Sequence, residues 1–352
     1  MIEHLRRHAF SIAFVGVLFA FFFIRPLNDS ELLQLSGYTM GTSYRLQLVE
    51  LPRGVTREQL QQQVAELLER LDRQVFSTYA EQSELSRFNG APVATPVRVS
   101  PELLDVMQLA RQISELTNGA FDVTVGPLVN LWGFGPGPNA GSDVIPDGAA
   151  IEAALAEVGY RHLAIDAAAG TVTKLAPVTV DLSAIAKGYV VDEVAGLFDA
   201  LGIADYFLEI GGELKIRGRK PGDASWVPAI ERPVDAAPEV YQALYTKGET
   251  VALAGSGDYR NYFERDGVRY SHEIDPRTGR PITHNLAAVY VLDASTARAD
   301  ALATAFMVLG YEQGRQLADS QGLAVYFIYR GNDGVFGDYF TPRFAPYLNA
   351  EE

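Results

Sequence analysis

Two oxygen-bearing side chains, Asp300 and Thr304, lie four residues apart in the segment 296–309, whose pattern predicts an α-helix. Residues four apart on a helix share one face. A carboxylate and a hydroxyl placed in this way can bind one magnesium ion at about 2.0–2.1 Å, with water and substrate phosphate completing the coordination. The alternative is an acid near a helix start that the helix dipole stabilises, beside a threonine that faces solvent. The spacing alone leaves both interpretations open.

His272 is the histidine best placed to act as a base. Of the five histidines, two flank an apolar run near the N-terminus, which leaves His162, His272 and His284. An imidazole changes charge near neutral pH and can therefore deprotonate a hydroxyl group. His272 comes just before the turn at 275–279, Asp-Pro-Arg-Thr-Gly, which can bring it beside a ligand. The alternative is a structural histidine that is hydrogen-bonded to the backbone.

Positively charged side chains accompany these groups. Arg277 and Arg280 follow His272, and Lys187 lies in the segment 181–189, Asp-Leu-Ser-Ala-Ile-Ala-Lys-Gly-Tyr, which joins a predicted strand to a predicted helix. Backbone N–H groups at a helix N-terminus favour anions, and a lysine adds a point charge. Turns of this kind are common on their own. In combination, these residues predict a cation that holds a phosphorylated substrate.

The elements that would position these residues are a mixture of helices and strands. Strands outnumber helices and seldom alternate with them one for one, which favours an α+β fold with mixed or antiparallel sheets and packed helices. The predicted helices begin at Thr56 (with Gln59 completing a capping box), Ser83, Ser100, Ala149, Ala184 and Thr296. The predicted strands cover 38–49, 162–166, 171–175, 178–182, 285–292, 323–329 and 335–340, with several more between 206 and 274, and 120–138 is predicted as an irregular loop.

The composition excludes several classes of function. A net charge of −15 leaves no basic stripe for nucleic acid. Cysteine is absent, which excludes cysteine nucleophiles, cysteine-ligated zinc, disulfides and lipidation at cysteine. The sequence contains no P-loop, no G-x-S-x-G elbow and no H-E-x-x-H motif. Gly255-Ser256-Gly257 begins like a dinucleotide fingerprint, but Arg260 stands where the third glycine should be. A nucleotide would have to be bound by another arrangement.

The N-terminus predicts a membrane anchor. The apolar run 9–24 follows two arginines and ends at Arg25-Pro26, and no small-x-small cleavage site precedes Ser36. Residues 1–27 are therefore interpreted as an uncleaved signal anchor, and 28–37 as a polar tether. Basic residues before the run place the N-terminus in the cytoplasm. We expect the protein at the bacterial inner membrane, with one catalytic domain, 38–345, on the periplasmic side.

Seven segments of the chain, taken together, resemble the ApbE family, the flavin transferases that attach FMN to proteins. They extend in family order across roughly residues 38 to 310. The matching segments are Tyr-Thr-Met-Gly-Thr at 38–42, Ser-Thr-Tyr at 77–79, Ser-Glu-Leu-Ser-Arg-Phe-Asn at 83–89, Gly-Ala-Phe-Asp-Val-Thr-Val-Gly-Pro-Leu at 119–128, Val-Asp-Leu-Ser-Ala-Ile-Ala-Lys-Gly-Tyr at 180–189, Ser-His-Glu-Ile-Asp-Pro-Arg-Thr-Gly-Arg-Pro-Ile at 271–282, and Ala-Asp-Ala-Leu-Ala-Thr at 299–304. Many family members carry a lipid-anchored cysteine after the signal, which this chain lacks.

The resemblance implies an ApbE-like fold and an enzyme that transfers the FMN half of FAD to a threonine hydroxyl of a target protein and releases AMP. It implies that His272 deprotonates that threonine. It also implies that Asp300, Thr304 and the backbone carbonyl of Ala184 bind magnesium. The residues that it implies in FAD binding are Met40, Tyr79, Ala120, Phe121, Asp122, Asp181, Lys187 and Ile274.

The partners that follow from the resemblance are FAD, magnesium and an acceptor protein, which the family suggests is a subunit of a membrane redox complex. Two alternatives share the same motifs. One is a magnesium-dependent FAD pyrophosphatase, in which water replaces the threonine and the products are free FMN and AMP. The other is a flavin-binding protein without chemistry. Asp300, Thr304 and His272 argue against pure binding, because storage needs neither a base nor a catalytic cation.

Overall fold

The structure, a computed structural model, describes residues 32–135, 138–143, 145–259, 261–331 and 333–350. Its main feature is an eight-stranded sheet in the order β1-β2-β6-β7-β10-β15-β16-β17, in which every neighbouring pair is antiparallel. These strands are β1 Leu33–Thr39, β2 Thr42–Leu48, β6 Tyr206–Ile210, β7 Glu213–Arg217, β10 Val251–Gly257, β15 Leu286–Asp293, β16 Ala324–Arg330 and β17 Phe336–Phe340. The sheet and its packed helices confirm the predicted α+β class.

Smaller sheets and a set of helices surround this sheet. The remaining strands are β3 Val97–Arg98, β4 Leu163–Asp166, β5 Thr171–Lys174, β8 Ala229–Glu231, β9 Val240–Ala243, β11 Tyr262–Arg265, β12 Val268–Ser271, β13 Ile274–Asp275 and β14 Arg280–Pro281. The α-helices are α1 Arg57–Glu69, α2 Glu84–Gly90, α3 Pro101–Leu116, α4 Gly126–Leu131, α5 Gly148–Leu155, α6 Ala186–Leu201 and α7 Thr296–Gln321. A π-helical segment, Arg70–Phe76, continues α1, and short 3₁₀ turns occur at Tyr160–His162, Pro221–Asp223 and Ala345–Leu348.

Local sequence signals explain the helix starts that the sequence predicts. Thr56 and Gln59 form the predicted capping box at the start of α1. The side chain of Ser100 accepts a hydrogen bond from the Leu103 N–H, and Pro101 occupies the first turn of α3. Asp147 caps α5 in the same way as Ser100 caps α3. These helices need only residues within one turn of their start, which is why the sequence places them correctly.

Several predicted elements differ in the structure. Residues 33–37 belong to strand β1 and not to a tether, because they pair with β2. The predicted strand 38–49 is part of this hairpin. The segment 178–182 forms no strand, since the carboxamide of Asn89 bonds both the N–H and the carbonyl of Val180. The predicted irregular loop at 120–138 contains helix α4.

Helix α7 continues beyond the predicted end at residue 309. Gly310 leaves helical geometry, with φ 75° and ψ 174°, and the helix then resumes to Gln321. A Cβ at Gly310 would lie 2.7 Å from Cδ2 of His284, so a glycine allows the half-buried histidine ring to pack at this break. The glycine therefore interrupts the helix without ending it.

The predicted membrane anchor, residues 1–27, lies outside the described residues. Within the part of the chain that the structure describes, no helix is long and apolar enough to cross a membrane.

The two faces of the main sheet are both covered. The larger core lies between the sheet and helices α1, α3, α6 and α7, and includes Leu46, Leu208, Val289 and Phe306. The opposite face packs against a second core that includes Trp226 and Phe344. Helix α7 is therefore buried along most of one side, which fixes the residues near its N-terminus relative to the sheet.

The N-terminus of α7 is capped from a neighbouring helix. The carboxylate of Asp192, on α6, accepts hydrogen bonds from the N–H groups of Thr296 (2.9 Å) and Ala297 (3.1 Å). It also accepts bonds from the hydroxyls of Ser295 and Thr296 and from Nζ of Lys215. A negative charge at a helix N-terminus is stabilised by the helix dipole. This one side chain therefore joins α6, α7 and strand β7.

We predict that Asp192→Ala lowers the free energy of unfolding by about 2–4 kcal/mol, because the end of α7 and the Lys215 ammonium lose a charged acceptor. Urea denaturation followed by circular dichroism measures the change. The control is Asp199→Ala on the same helix: Asp199 pairs with Arg217 at an exposed site, and the loss should stay below about 1 kcal/mol. Equal losses for the two variants would contradict the capping role.

Candidate functional site

A cleft of about 510 Å³ opens at one end of the main sheet, beside the N-terminal half of α7. Its walls come from the loops around residues 79, 122, 134 and 181, from β7 and β10, and from the segment 272–276. The predicted site residues that line it are Tyr79, Ala120, Phe121, Asp122, Asp181, Ala184, Lys187, His272, Ile274, Asp300 and Thr304. Segments far apart in the sequence thus meet at one site.

The cleft exists because the main sheet splits at this end. Strand β10 pairs with β15 as far as Gly257, but with β7 only over Val251–Leu253. The Asp258 N–H bonds the Ala287 carbonyl on the β15 side. Because peptide groups alternate along a strand, those of Gly255 and Gly257 point to the opposite side, into the opening. No sequence motif indicated this role, since the same glycines do not complete a dinucleotide fingerprint.

Helices α6 and α7 hold Asp300 in place through a close contact. The carboxylate of Asp300 is 4% exposed and accepts a hydrogen bond of 3.1 Å from the Gly188 N–H. A Cβ at Gly188 would lie 2.4 Å from the carbonyl oxygen of Thr296, so only glycine permits this approach. One turn further along α7, Oγ1 of Thr304 lies 3.4 Å from Oγ of Ser256 on β10. Both side chains of the predicted pair therefore face the cleft.

Three buried acids share a single lysine in this region. Nζ of Lys187 lies 2.9 Å from Oε1 of Glu213, while Oε2 of Glu213 is buried and has no hydrogen-bond partner within the described part of the chain. Burial raises the pKa of Asp300, of Glu213 and of Glu273, and Lys187 partly offsets the effect. The pKa of Lys187 is raised by Asp300 and the two glutamates in spite of its burial. The lysine is therefore charged at neutral pH, whereas the raised pKa values favour protonation of the acids.

The oxygen donors of this region fit the implied magnesium ion. The carboxylate of Asp300, the hydroxyl of Thr304 and the carbonyl of Ala184 are hard donors of the kind that magnesium prefers. Among the described residues, no hydrogen bond uses the Ala184 carbonyl, because Gly188 donates its N–H to Asp300. The described residues contain no group of three His, Asp or Glu side chains that could hold a metal by themselves. Substrate and water would have to complete the coordination.

His272 lies at the mouth of the cleft, and its side chain is 33% exposed. The carbonyl oxygen of Asn261 accepts from its backbone N–H and from ring atom Nδ1, each at 3.0 Å. A carbonyl can only accept, so Nδ1 carries a proton and Nε2 of the neutral ring has a free lone pair. The ring edge also contacts Phe134. His272 is therefore hydrogen-bonded to the backbone through Nδ1, as in the structural interpretation. It also keeps an Nε2 lone pair that can act as a base, as in the chemical interpretation.

Loops on the opposite wall are held by short-range hydrogen bonds. Oγ of Ser77 accepts from the N–H groups of Tyr79 and Ala80, and this turn leaves the Tyr79 ring 77% exposed at the cleft. Asp122 accepts from the N–H of Thr124 and from that of Tyr160, so its carboxylate mainly fixes the loop. Asp181 caps the turn before α6 by accepting from Ser183.

Some predicted residues are placed elsewhere. Met40 is not among the cleft-lining residues: it occupies the tight turn between β1 and β2 with φ 49°, its N–H bonds Asp72, and it packs on the core. Arg277 forms a bidentate pair with Asp275, and neither it nor Arg280 lines the cleft. The positive charge beside the acids therefore comes from Lys187.

Two further cleft-lining residues, Glu213 and Glu273, were not predicted from the sequence. Glu213 follows the Gly-Gly turn at 211–212, and Glu273 directly follows His272, but an isolated glutamate carries no motif. The position of Glu213 at the start of a strand, directly after two glycines, could have indicated it. This signal is weak, because acidic residues at such positions are commonly exposed. Only the register of the sheet shows that this side chain points inward.

The fold and the cleft define a class of protein: an α+β protein whose buried acids, lysine, oxygen donors and exposed histidine suit a metal-assisted reaction on a phosphorylated ligand. Residues 40–327 match the model of the ApbE family. The FAD:protein FMN transferase of Vibrio cholerae is 45% identical over 92% of this chain and 94% of that protein.

Solved structures agree. The flavin transferase ApbE from Vibrio cholerae superimposes with a TM-score of 0.82 at 43% identity and covers 90% of this chain and 99% of its own. The flavinyl transferase ApbE of Pseudomonas stutzeri, in its apo form, gives a TM-score of 0.81 at 40% identity over 91% of this chain and 98% of its own. The chain belongs to the ApbE family.

We predict that Gly188→Ala lowers the free energy of unfolding by about 2 kcal/mol or more and weakens FAD binding, because the new methyl group pushes α7 and Asp300 away from α6. Thermal unfolding and a fluorescence titration with FAD measure the two effects. Gly196→Ala on the same helix is the control: no atom lies within 4 Å of its Cβ position, so the change should be neutral or stabilise by up to about 1 kcal/mol. Matching behaviour of the two variants would refute the close-approach argument.

Proposed function

We propose that the protein is a magnesium-dependent FAD:protein FMN transferase, which moves the FMN half of FAD to a threonine hydroxyl of an acceptor protein and releases AMP. One observation carries the proposal. The oxygen donors Asp300 and Thr304, the charged Lys187 and the exposed base His272 line a single cleft. The names of relatives that match nearly the whole chain support the reaction class.

The cleft residues divide the work between phosphate and nucleophile. Lys187 would bind the diphosphate of FAD as a point charge. The N–H groups of Gly255 and Gly257 point into the same opening and can donate to its oxygens. The exposed ring of Tyr79, together with Phe121, offers apolar surface for the isoalloxazine or adenine ring. These contacts would hold the reacting phosphorus in line with the incoming oxygen.

His272 would act on the acceptor. Its Nε2 lone pair removes the proton of the threonine hydroxyl as the oxygen attacks the FMN phosphorus, and the bond to the AMP phosphate breaks. A positioned base contributes about 10²–10⁴-fold to such a step. Asp300, Thr304 and the Ala184 carbonyl would hold the magnesium ion, which neutralises charge on the diphosphate and on departing AMP.

The decisive experiment incubates the full chain with FAD, magnesium and a candidate acceptor. Denaturing gel electrophoresis with flavin fluorescence detects linked flavin, and chromatography detects AMP and FMN. We expect one AMP per linked flavin, loss of both products in EDTA, and no linkage when the acceptor threonine is replaced by valine. Free FMN with every acceptor would show a pyrophosphatase instead. Intact FAD under all conditions would exclude both reactions.

Asp300→Asn should reduce linked flavin by about 10³-fold or more with an unchanged unfolding midpoint, because the cleft loses its carboxylate ligand. The matched control is Asp319→Asn on the same helix. Asp319 accepts a hydrogen bond from Tyr339 and does not line the cleft, so full activity is expected. Undiminished transfer by Asp300→Asn would refute the metal assignment.

We further propose that residues 1–27 anchor the enzyme to the inner membrane with the catalytic domain in the periplasm, where redox complexes can supply the acceptor. The apolar run between basic residues supports this location. Deletion of residues 1–27 should move the protein from the membrane to the soluble fraction while flavin transfer persists. Membrane retention of the truncated chain would contradict an anchor of this kind.

A further inference from the structure

Glu273 is the acidic side chain nearest the free nitrogen of His272. Oε1 of Glu273 lies 3.7 Å from Nε2 of His272, and the glutamate side chain is 9% exposed while the histidine side chain is 33% exposed. The other ring nitrogen is occupied by the Asn261 carbonyl. The acid therefore faces the one atom of the imidazole that can gain a proton. The gap is too long for a direct hydrogen bond.

Both side chains line the cleft, so a hydroxyl group in the cleft can reach Nε2 of His272. A hydroxyl has one proton, so at about 2.8 Å from Nε2 it can donate to the ring nitrogen but not to the carboxylate as well. A hydroxyl group in this place would meet Nε2 with its proton. When the ring becomes charged, its Nε2 lies 3.7 Å from a carboxylate oxygen, a distance at which opposite charges attract.

The remaining charged groups around the pair are already engaged. Glu273 is influenced by His272, Asp258, Lys187 and Asp300. Asp258 forms a bidentate pair with Arg330, at 2.7 and 2.8 Å. Lys187 bonds Glu213, and Asp300 accepts from the Gly188 N–H. Burial raises the pKa of Glu273, and the charged imidazole acts against this effect. Among the described residues, His272 is thus the basic side chain within ion-pair distance of Glu273.

We propose that Glu273 is a positioning residue that orients and stabilises the charged imidazole of His272 after it takes the proton of the acceptor hydroxyl. The inference rests on the proposed transfer reaction. The O–H bond breaks, the proton binds Nε2, and the oxygen electron pair forms the new P–O bond while the bond to AMP breaks. Glu273 takes up no proton from the hydroxyl and binds no substrate atom. The proton later leaves the imidazole for solvent.

The first test needs no turnover. The full chain has five histidines, so histidine-selective isotope labelling gives few NMR signals, and the signal that His272→Asn removes identifies His272. Removing a facing negative charge disfavours the imidazolium. In Glu273→Gln, the titration midpoint of the His272 signal should therefore move down by about one pH unit. An unmoved midpoint overturns the proposal, whether or not the protein transfers flavin.

The control is Glu264→Gln, which removes an exposed acid in the hairpin that precedes His272. Glu264 pairs with Arg269 at 3.2 Å, and its loss should leave the His272 titration in place. An equal movement in this variant would show a general effect of net charge and would also overturn the proposal. Should Glu273→Gln not fold, Glu273→Asp retracts the carboxylate from Nε2 and should move the midpoint in the same direction by less.

The second test uses the rate of flavin transfer against pH. Glu273→Gln should lower the plateau about tenfold and move the acidic limb to lower pH, because the weaker base stays unprotonated further into acid. A merely structural role lowers the rate without moving the limb. In the His272→Asn background, Glu273→Gln should not lower the rate of flavin transfer any further. A full additional loss there would show that Glu273 acts independently of His272.

Discussion

The close contact between α6 and α7 is the constraint on which the site depends. Without a side chain at Gly188, the backbone of α6 approaches the first turn of α7, and the Gly188 N–H bonds Asp300 instead of the Ala184 carbonyl. The same displacement leaves that carbonyl available beside Asp300. Asp192, one turn along α6, accepts hydrogen bonds from the first N–H groups of α7 and so fixes the position of α7 relative to α6. A single contact between helices thus positions two of the three oxygen groups that we propose as magnesium ligands.

Charge balance supports the cation that we propose at this site. Lys187 lies among three buried acids, Glu213, Asp300 and Glu273, and burial raises the pKa of each acid. An acid whose pKa is raised in the folded state destabilises the protein progressively as pH rises above its unfolded pKa. When ionised, these acids also repel a diphosphate. A divalent cation at Asp300 reverses both effects, so metal and anionic substrate should bind together.

Local features of the sequence predicted much of this structure. The capping residues of α1 and α3 lie within one turn of the bonds they make, and the helical spacing of Asp300 and Thr304 correctly placed both on the cleft. Long-range packing decided the rest. Val178, Val180 and Leu182 alternate as a strand would and are buried, yet the side chain of Asn89 takes the backbone bonds that a partner strand would make. The cleft itself arises from where β7 begins beside β10, which no local pattern records.

The positions of the groups also bear on which nucleophile is used. Asp300 is nearly inaccessible, whereas the His272 side chain at the mouth is one-third exposed. Water could reach a base placed at either depth, but a side chain carried on another protein can reach only the mouth. An acceptor that docks there would also cover His272 and Glu273, exclude water and strengthen the attraction between them. The position of His272 above the buried Asp300 and Lys187 therefore supports the proposed transfer to a protein hydroxyl over hydrolysis.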